Sequence, residues 1–245
     1  MLVAGFPSAM FGTNVYVVAP AAGEECVIVD PGIEVSDGVD QLLREYRLNP
    51  VAVLLTHGHI DHTFSVVPVA GSRGITAYIH PADRELLADP MKGLSAESRE
   101  FFGGRLEWQE PEDVAVLNDG VALSLAGMEL SVDHAPGHTP GSVMFRLPGA
   151  PDAVSGLDTT PSQTALTGDV LFAGSIGRTD LPGGSHEQML DSLRDKVLPL
   201  ADDIVVLPGH GGATTIGRER ASNPFLLQLS GMTDSTAASA PSRGL

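Results

Sequence analysis

The chain has 245 residues, 42% of them hydrophobic, enough to bury one sizeable core, and residues 1–232 read as a single domain. Its 31 acidic residues against 14 basic ones give a formal net charge of −17. That field repels phosphate backbones and anionic membranes, so neither nucleic acid nor a membrane is an expected partner.

Location follows from what the chain lacks. No apolar run approaches the ~20 residues of a bilayer span, and the opening MLVAGFPSAM has no basic signal region. A lone cysteine, Cys26, permits no intramolecular disulfide, so the expected location is cytoplasmic.

In chain order, residues 14–19 and 25–30 are β-type runs around a Gly-containing turn, ending at the Pro31 and Gly32 breaker. This is a hairpin signal. Cys26 lies in the second run beside Val27, Ile28 and Val29 and reads as a small core residue rather than a reactive thiol. Over 38–48 the apolar positions Val39, Leu42, Leu43 and Tyr46 keep a helical period, and a short buried strand follows at 51–55.

Further strands are expected at 75–79, 121–125, 129–134, 143–147, 164–166 and 204–207. Helices are expected at 81–88, 95–102, 185–197 and 216–229. In the third of these, Ser185 is a candidate N-cap, and Met189, Leu190, Leu193 and Val197 keep helical spacing. Residues 148–162 read as an exposed loop, and the Ser-, Ala- and Thr-rich stretch 233–245 as a disordered tail.

The chemistry concentrates in Thr56, His57, Gly58, His59, Ile60, Asp61 and His62, directly after the strand at 51–55. His57 and His59, two apart in extended chain, point the same way. A helix starting near Asp61 swings Asp61 and His62 toward a second position, so each pair begins a separate metal shell. Because a catalytic metal usually takes at least three protein ligands, the remaining donors must come from elsewhere.

Three residues sit at strand ends beside glycine, where a ligand is presented without steric cost: His138 in APGHTPGS, Asp169 in TGD and His210 in LPGHG. The other histidines are placed differently. His80 precedes Pro81 at a helix start and reads as a cap or surface residue. His186 falls in the first turn of a helix and reads as exposed, while His134, four residues before His138, is a candidate for contact behind the ligands.

The series HGHIDH, APGHTPGS, TGD and LPGHG, in this order and at these intervals, resembles the metallo-β-lactamase superfamily over roughly residues 14–225. The resemblance implies an α/β fold, a four-layer αββα sandwich. It also implies two divalent metal ions, one held by His57, His59 and His138, the other by Asp61, His62 and His210, with Asp169 bridging both. A ligand set of nitrogen and carboxylate oxygen without thiolate suits zinc, iron or manganese, zinc being the first expectation. Asp30 resembles a carboxylate that supports the ligands from behind in that family, with an ordinary turn role as its alternative.

Two metals sharing a carboxylate activate water, and Asp61 is the expected catalytic group that orients it or accepts its proton. Neither a GxSxG elbow nor an exposed cysteine offers a covalent alternative. Within the superfamily, GDVLFAGSIGRTDLPGG (168–184) and LPGHGGATTIGRERASNPF (207–225) are most similar to the glyoxalase II branch, which implies hydrolysis of a small-molecule thioester.

One departure is plain. Where that enzyme has a tyrosine shortly after the position of His210, this chain has Gly211, Gly212 and Ala213. Arg178, Arg218 and Arg220 are therefore the candidates to contact a carboxylate of some other thiol carrier, with surface or intramolecular ion pairs as their alternative role. The competing readings are a mono-iron persulfide dioxygenase of the same fold, using His57, His138 and Asp169, and a non-catalytic metal-binding module.

Overall fold

The computed structural model describes residues 1–102, 108–152 and 161–237. Its first sheet runs in the order β1 (Leu2–Pro7), β2 (Asn14–Ala19), β3 (Glu25–Val29), β4 (Asn49–Leu54), β5 (Thr76–Ile79) and β6 (Val114–Val116). Strands β1 to β3 pair antiparallel, and β3 to β6 pair parallel. The remaining strands are β7 (Ala122–Leu125), β8 (Met128–His134), β9 (Val143–Pro148), β10 (Gln163–Gly168), β11 (Leu171–Phe172), β12 (Ser175–Ile176), β13 (Val205–Pro208) and β14 (Thr214–Thr215). Of these, β11 and β12 form a separate hairpin, and the rest make a second sheet ordered β14-β13-β10-β9-β8-β7.

Alternation along the central strands dictates the layers, because successive side chains face opposite sides of a sheet. In β3, Val27 and Val29 face the second sheet, while Cys26 and Ile28 face outward. In β4, Ala52 and Leu54 go in and Val53 goes out. The second sheet answers with Leu130, Val132, Val143, Phe145, Leu147, Leu166, Val205 and Leu207 on its inner face. Both outer faces are apolar as well, so each requires a helical layer.

Over the first sheet lie α1 (Ser36–Tyr46), which buries Val39 and Leu43, and, beyond the short α2 (Ile60–Thr63), α3 (Val66–Ala70). In chain order α4 (Arg84–Ala88) and α5 (Ala96–Phe102) fall between β5 and β6, and Leu87 of α4 joins the same outer core as α1 and α3. Over the second sheet lie α6 (His186–Ser192), α7 (Ile216–Ser222) and α8 (Pro224–Ala237), through Met189, Ile216, Leu226 and Leu229. The result is the αββα sandwich of the metallo-β-lactamase fold. Cys26 is fully buried, and burial pushes its thiol up to about 12.

Several boundaries differ from the sequence reading. Strands β1 and β6, both at sheet edges, were not expected at all. The helix expected over 185–197 starts as read, with Ser185 Oγ accepting from the Gln188 N–H, but its last turn, Leu193–Val197, is a π-helical turn. The helix expected over 216–229 is two helices. Asn223, which precedes Pro224, is held extended at φ −72 and ψ 120, as the proline ring disfavours a helical residue before it.

The expected helix at 81–88 opens with a 3-10 turn, Pro81–Asp83, capped by His80 Nδ1 accepting from the Ala82 N–H. Helix α8 runs through Ala237, into the stretch read as a disordered tail; residues 238–245 lie outside the described residues, as do 153–160 of the expected loop. No helix among the described residues is long and apolar enough to cross a membrane.

Candidate metal centre

The carboxyl ends of β4, β8, β10 and β13 lie at one end of the sandwich, and each delivers part of the site: the 57–62 turn, His138, Asp169 and His210. His59 sits just before α2 in extended conformation, at φ −66 and ψ 145, and the helix begins at Ile60. That change of backbone divides the turn. His57 and His59 stay with the strand, whereas Asp61 and His62 move onto the first helical turn.

All seven expected donors converge. The ligand atoms of His57, His59 and His138 lie within 4.8 Å of one another, as do those of Asp61, His62 and His210, and those of His57, His62 and Asp169. Asp169 touches both groups, with Oδ2 3.5 Å from His138 Nε2 and Oδ1 3.4 Å from His62 Nε2. His210 Nε2 stands 3.3 Å from Asp61 Oδ2 and 3.6 Å from Asp169 Oδ2. This close approach needs a glycine: a Cβ at Gly209 would lie 2.2 Å from Asp169 Oδ1.

Hydrogen bonds behind the donors assign the tautomers. Asp30 accepts from the Thr56 N–H at 2.8 Å and the Thr56 hydroxyl at 2.6 Å. With its proton so committed, Thr56 Oγ1 accepts from His57 Nδ1 at 3.1 Å, leaving the Nε2 lone pair of His57 toward the site. His138 Nδ1 donates to the Arg178 carbonyl at 2.7 Å, and His62 Nδ1 to Asp30 Oδ2 at 3.0 Å, so both also direct Nε2 inward.

A cation fits this arrangement. His59 Nδ1 and His138 Nε2 face each other at 2.9 Å, while His57 Nε2 and Asp169 Oδ1 are buried without a hydrogen-bond partner. Lone pairs converging in a buried space are costly unless a cation answers them.

Electrostatics divides the donors in the same way. Burial, reinforced by the neighbouring histidines, pushes His57 well below the ordinary histidine range and His59 down to about 3, so both are neutral, the form that ligates. Burial also opposes charge on His62, but Asp61, Asp169 and Asp30 outweigh it and lift His62 to about 10. The same carboxylates that hold a proton there would hold a metal ion. Burial opposes charge on Asp61 too, yet His62 and His210 hold its carboxyl below the usual carboxylate range.

Above the donors opens a cavity of about 460 Å³, a size typical of small-molecule sites. His59, Asp61, His138, Asp169 and His210 contribute to its lining, with Phe11, Leu94, Phe172 and Leu181 as apolar walls and Arg178 among the lining residues. Arg178 is 59% exposed and forms a two-bond ion pair with Asp180, each contact 2.7 Å. Arg218 is exposed on α7 and Arg220 is committed to Asp202 and the Leu198 and Leu200 carbonyls; neither lines the cavity, so the arginines named from sequence are not brought together.

His134 bonds the Pro140 carbonyl at 2.9 Å and stacks on His80 with ring centroids 3.9 Å apart, supporting the His138 loop without reaching the donors. His186 is exposed.

Three supporting residues escaped the sequence reading. The Thr13 hydroxyl donates to Asp61 Oδ2 at 3.0 Å, Thr56 orients His57, and Asp83 accepts from three donors in the ligand-bearing loops. The glycines beside the ligands were the available signal, since Gly58 and Gly141 both leave room for Asp83.

Buried imidazole and carboxylate donors at the strand ends of an αββα sandwich define a metal-dependent enzyme of hydrolytic or oxidative chemistry. The chain belongs to the metallo-beta-lactamase superfamily, whose family model matches residues 10–162. It is 46% identical over 231 residues to an uncharacterized protein of Mycobacterium tuberculosis, covering 94% of this chain and 100% of that one. It is 36% identical over 203 residues to the hydroxyacylglutathione hydrolase GloC of Haemophilus influenzae, covering 83% and 88%.

Among solved structures, BLEG-1 B3 metallo-beta-lactamase matches with a TM-score of 0.76 and 36% identity over 92% of this chain and 99% of that one. TTHA1623 in a di-iron-bound form matches with 0.71 and 33% over 91% and 100%.

Proposed function

We propose that the protein is a metal-dependent thioesterase of the glyoxalase II type, which hydrolyses an acyl thioester of a small-molecule thiol. The observation that carries this reading is the convergence of two donor sets, sharing Asp169, at a cavity of about 460 Å³. His57, His59 and His138 would hold one ion and Asp61, His62 and His210 the other, with Asp169 serving both. Zinc is the first expectation, with iron or manganese as alternatives. When bound, two such ions would supply hydroxide near neutral pH, by lowering the pKa of water from about 16 to about 7, and Lewis acidity at a carbonyl oxygen.

The chain's own residues do the rest. Asp61 Oδ2, fixed by the Thr13 hydroxyl and lying beside the cavity, is placed to accept the proton of the attacking water. Phe11, Leu94, Phe172 and Leu181 give the cavity apolar walls, and Arg178 offers a cation to a carboxylate of the thiol carrier. A thiol leaving group with a pKa near about 8.5 departs as thiolate without a dedicated acid. The likeness to a hydroxyacylglutathione hydrolase supports the thioester, and the di-iron relative supports two ions.

The test is a substrate panel of glutathione, mycothiol-type and coenzyme A thioesters, a β-lactam and a persulfide, run with metal-loaded and chelated full-length protein. At least one thioester is hydrolysed about 100-fold or more faster by the loaded form, in line with the loss of one preorganised stabilising group. Inert thioesters, together with persulfide-dependent oxygen uptake at one iron per chain, would replace hydrolysis by the dioxygenase reading.

A further inference from the structure

A second buried carboxylate lies behind the site, and the reaction as read above gives it no role. Asp83 closes the 3-10 turn after β5 and is 0% exposed. Its Oδ2 accepts from the Gly58 N–H at 2.8 Å and from the Thr139 hydroxyl at 2.6 Å, and its Oδ1 accepts from the Gly141 N–H at 2.7 Å. Every one of these contacts offers a proton to the carboxylate, opposing the burial that pushes its pKa up.

The partners are not scattered. Gly58 lies between His57 and His59, and Thr139 and Gly141 flank the turn that follows His138, so a single side chain joins the two segments that carry the three-histidine set. Both glycines leave space for it: a Cβ at Gly141 would come within 2.7 Å of Asp83, and one at Gly58 within 3.2 Å of the Asp83 Cβ. Among the described residues Asp83 makes no hydrogen bond or ion pair to Asp61, His62 or His210; Thr13 supports Asp61 and Asp30 supports His62.

The geometry points to Asp83 as the positioning residue of one ion and not of the other: it fixes the distance between the His57–His59 turn and His138, and so sets the affinity of that site selectively. This rests on the two-ion reading above.

The test is competition of zinc against a chromophoric chelator in full-length variants. D83N retains the shape but turns an amide donor toward a backbone N–H. In the H210A background, where the three-histidine set is left intact, D83N weakens the remaining ion about 10- to 100-fold, the usual effect of losing a group that orients metal ligands. In the H59A background, which disables that set, D83N changes the remaining affinity by less than about 3-fold, as expected for a side chain that does not contact the remaining ligands.

Equal losses in both backgrounds, or none in either, overturn the assignment. If D83N fails to fold, T139V, which removes one of the three contacts, carries the same comparison with a smaller loss of the same selectivity. Wild-type protein binding a single ion would end the two-ion reading, while the paired comparison still decides the role of Asp83; wild-type protein binding none would end both.

Discussion

The two halves of the metal centre both start from one six-residue turn yet behave as opposites. His57, His59 and His138 are each at most 5% exposed, and burial keeps His57 and His59 neutral. The other half, Asp61, His62 and His210, has two of its members 22% and 28% exposed and lies among carboxylates that favour positive charge. His59 and His62 are three residues apart and shift in opposite directions, to about 3 and about 10. The residue type is the same, so the difference comes from position: the helix starting at Ile60 carries His62 to Asp30 and Asp169 and leaves His59 facing His138.

The largest break in this comparison is at the group both halves share. D169A removes the one carboxylate between them, and both ions are lost or weakened, with kcat/KM falling by at least about 10²- to 10³-fold. Metal content measured beside turnover checks it; a variant that retains two ions and near-normal activity would remove Asp169 from its bridging place.

Next in size is the support behind the acid-rich half. Asp30 accepts from the Thr56 N–H, the Thr56 hydroxyl and His62 Nδ1, so D30N disturbs His62 directly and His57 through Thr56. A loss of metal affinity of about 10- to 100-fold is expected, felt at both ions, in contrast to the one-sided effect of Asp83. Zinc competition in the same chelator series measures the difference.

The opposite shifts also set how the stripped protein responds to pH. His59 has its folded value depressed from 6.5 to about 3, so its unfavourable burial is felt when the unfolded chain takes up protons, and stability falls as pH drops from 6.5 toward 3. His62 has its folded value raised from 6.5 to about 10, so its contribution is full below 6.5 and is lost as pH rises toward 10.

Thermal unfolding of the chelated protein therefore has its highest midpoint between these limbs. Zinc flattens the alkaline limb by taking the place of the His62 proton. Cys26, pushed from 9 to about 12, adds a loss above pH 9 that zinc leaves unchanged. A chelated protein whose midpoint keeps rising from pH 7 to 9 would contradict the His62 assignment.

The smallest effect is expected at the cavity rim. Arg178 is largely exposed and already paired with Asp180, so R178A raises KM for a carboxylate-bearing thioester only a few-fold, the range of a solvent-screened charge contact, with kcat nearly unchanged. R218A, away from the cavity lining, leaves both constants alone. Steady-state kinetics of the pair sharpens which arginine meets substrate.

What sequence could and could not reveal follows the same division. The 57–62 turn announces itself because its donors are adjacent in the chain, and His138, Asp169 and His210 because each stands beside glycine at a strand end. Asp83 gave no such sign. It lies 25 residues from Gly58 and 58 from Gly141, and only folding brings its carboxylate to them. The central strands are legible from unbroken apolar runs, since both of their faces are covered.

The edges are not. β1 carries Gly5 and Pro7 and is mostly half-exposed, and β6 has three residues, too few to show a period. The break at Asn223 was signalled by Pro224 but masked by the apolar residues that resume the helical period after it. Asn223 is fully buried, and its amide bonds Ser175 and Glu219 to join α7 to the β12 hairpin, a tertiary reason that no local pattern contains.

Anomalous diffraction from crystals of the metal-loaded protein, collected on both sides of the metal's absorption edge, bears most directly on the central claim. Two peaks are expected, one among His57, His59 and His138, the other among Asp61, His62 and His210, with Asp169 between them. A single peak, or metal bound away from these seven side chains, would contradict it.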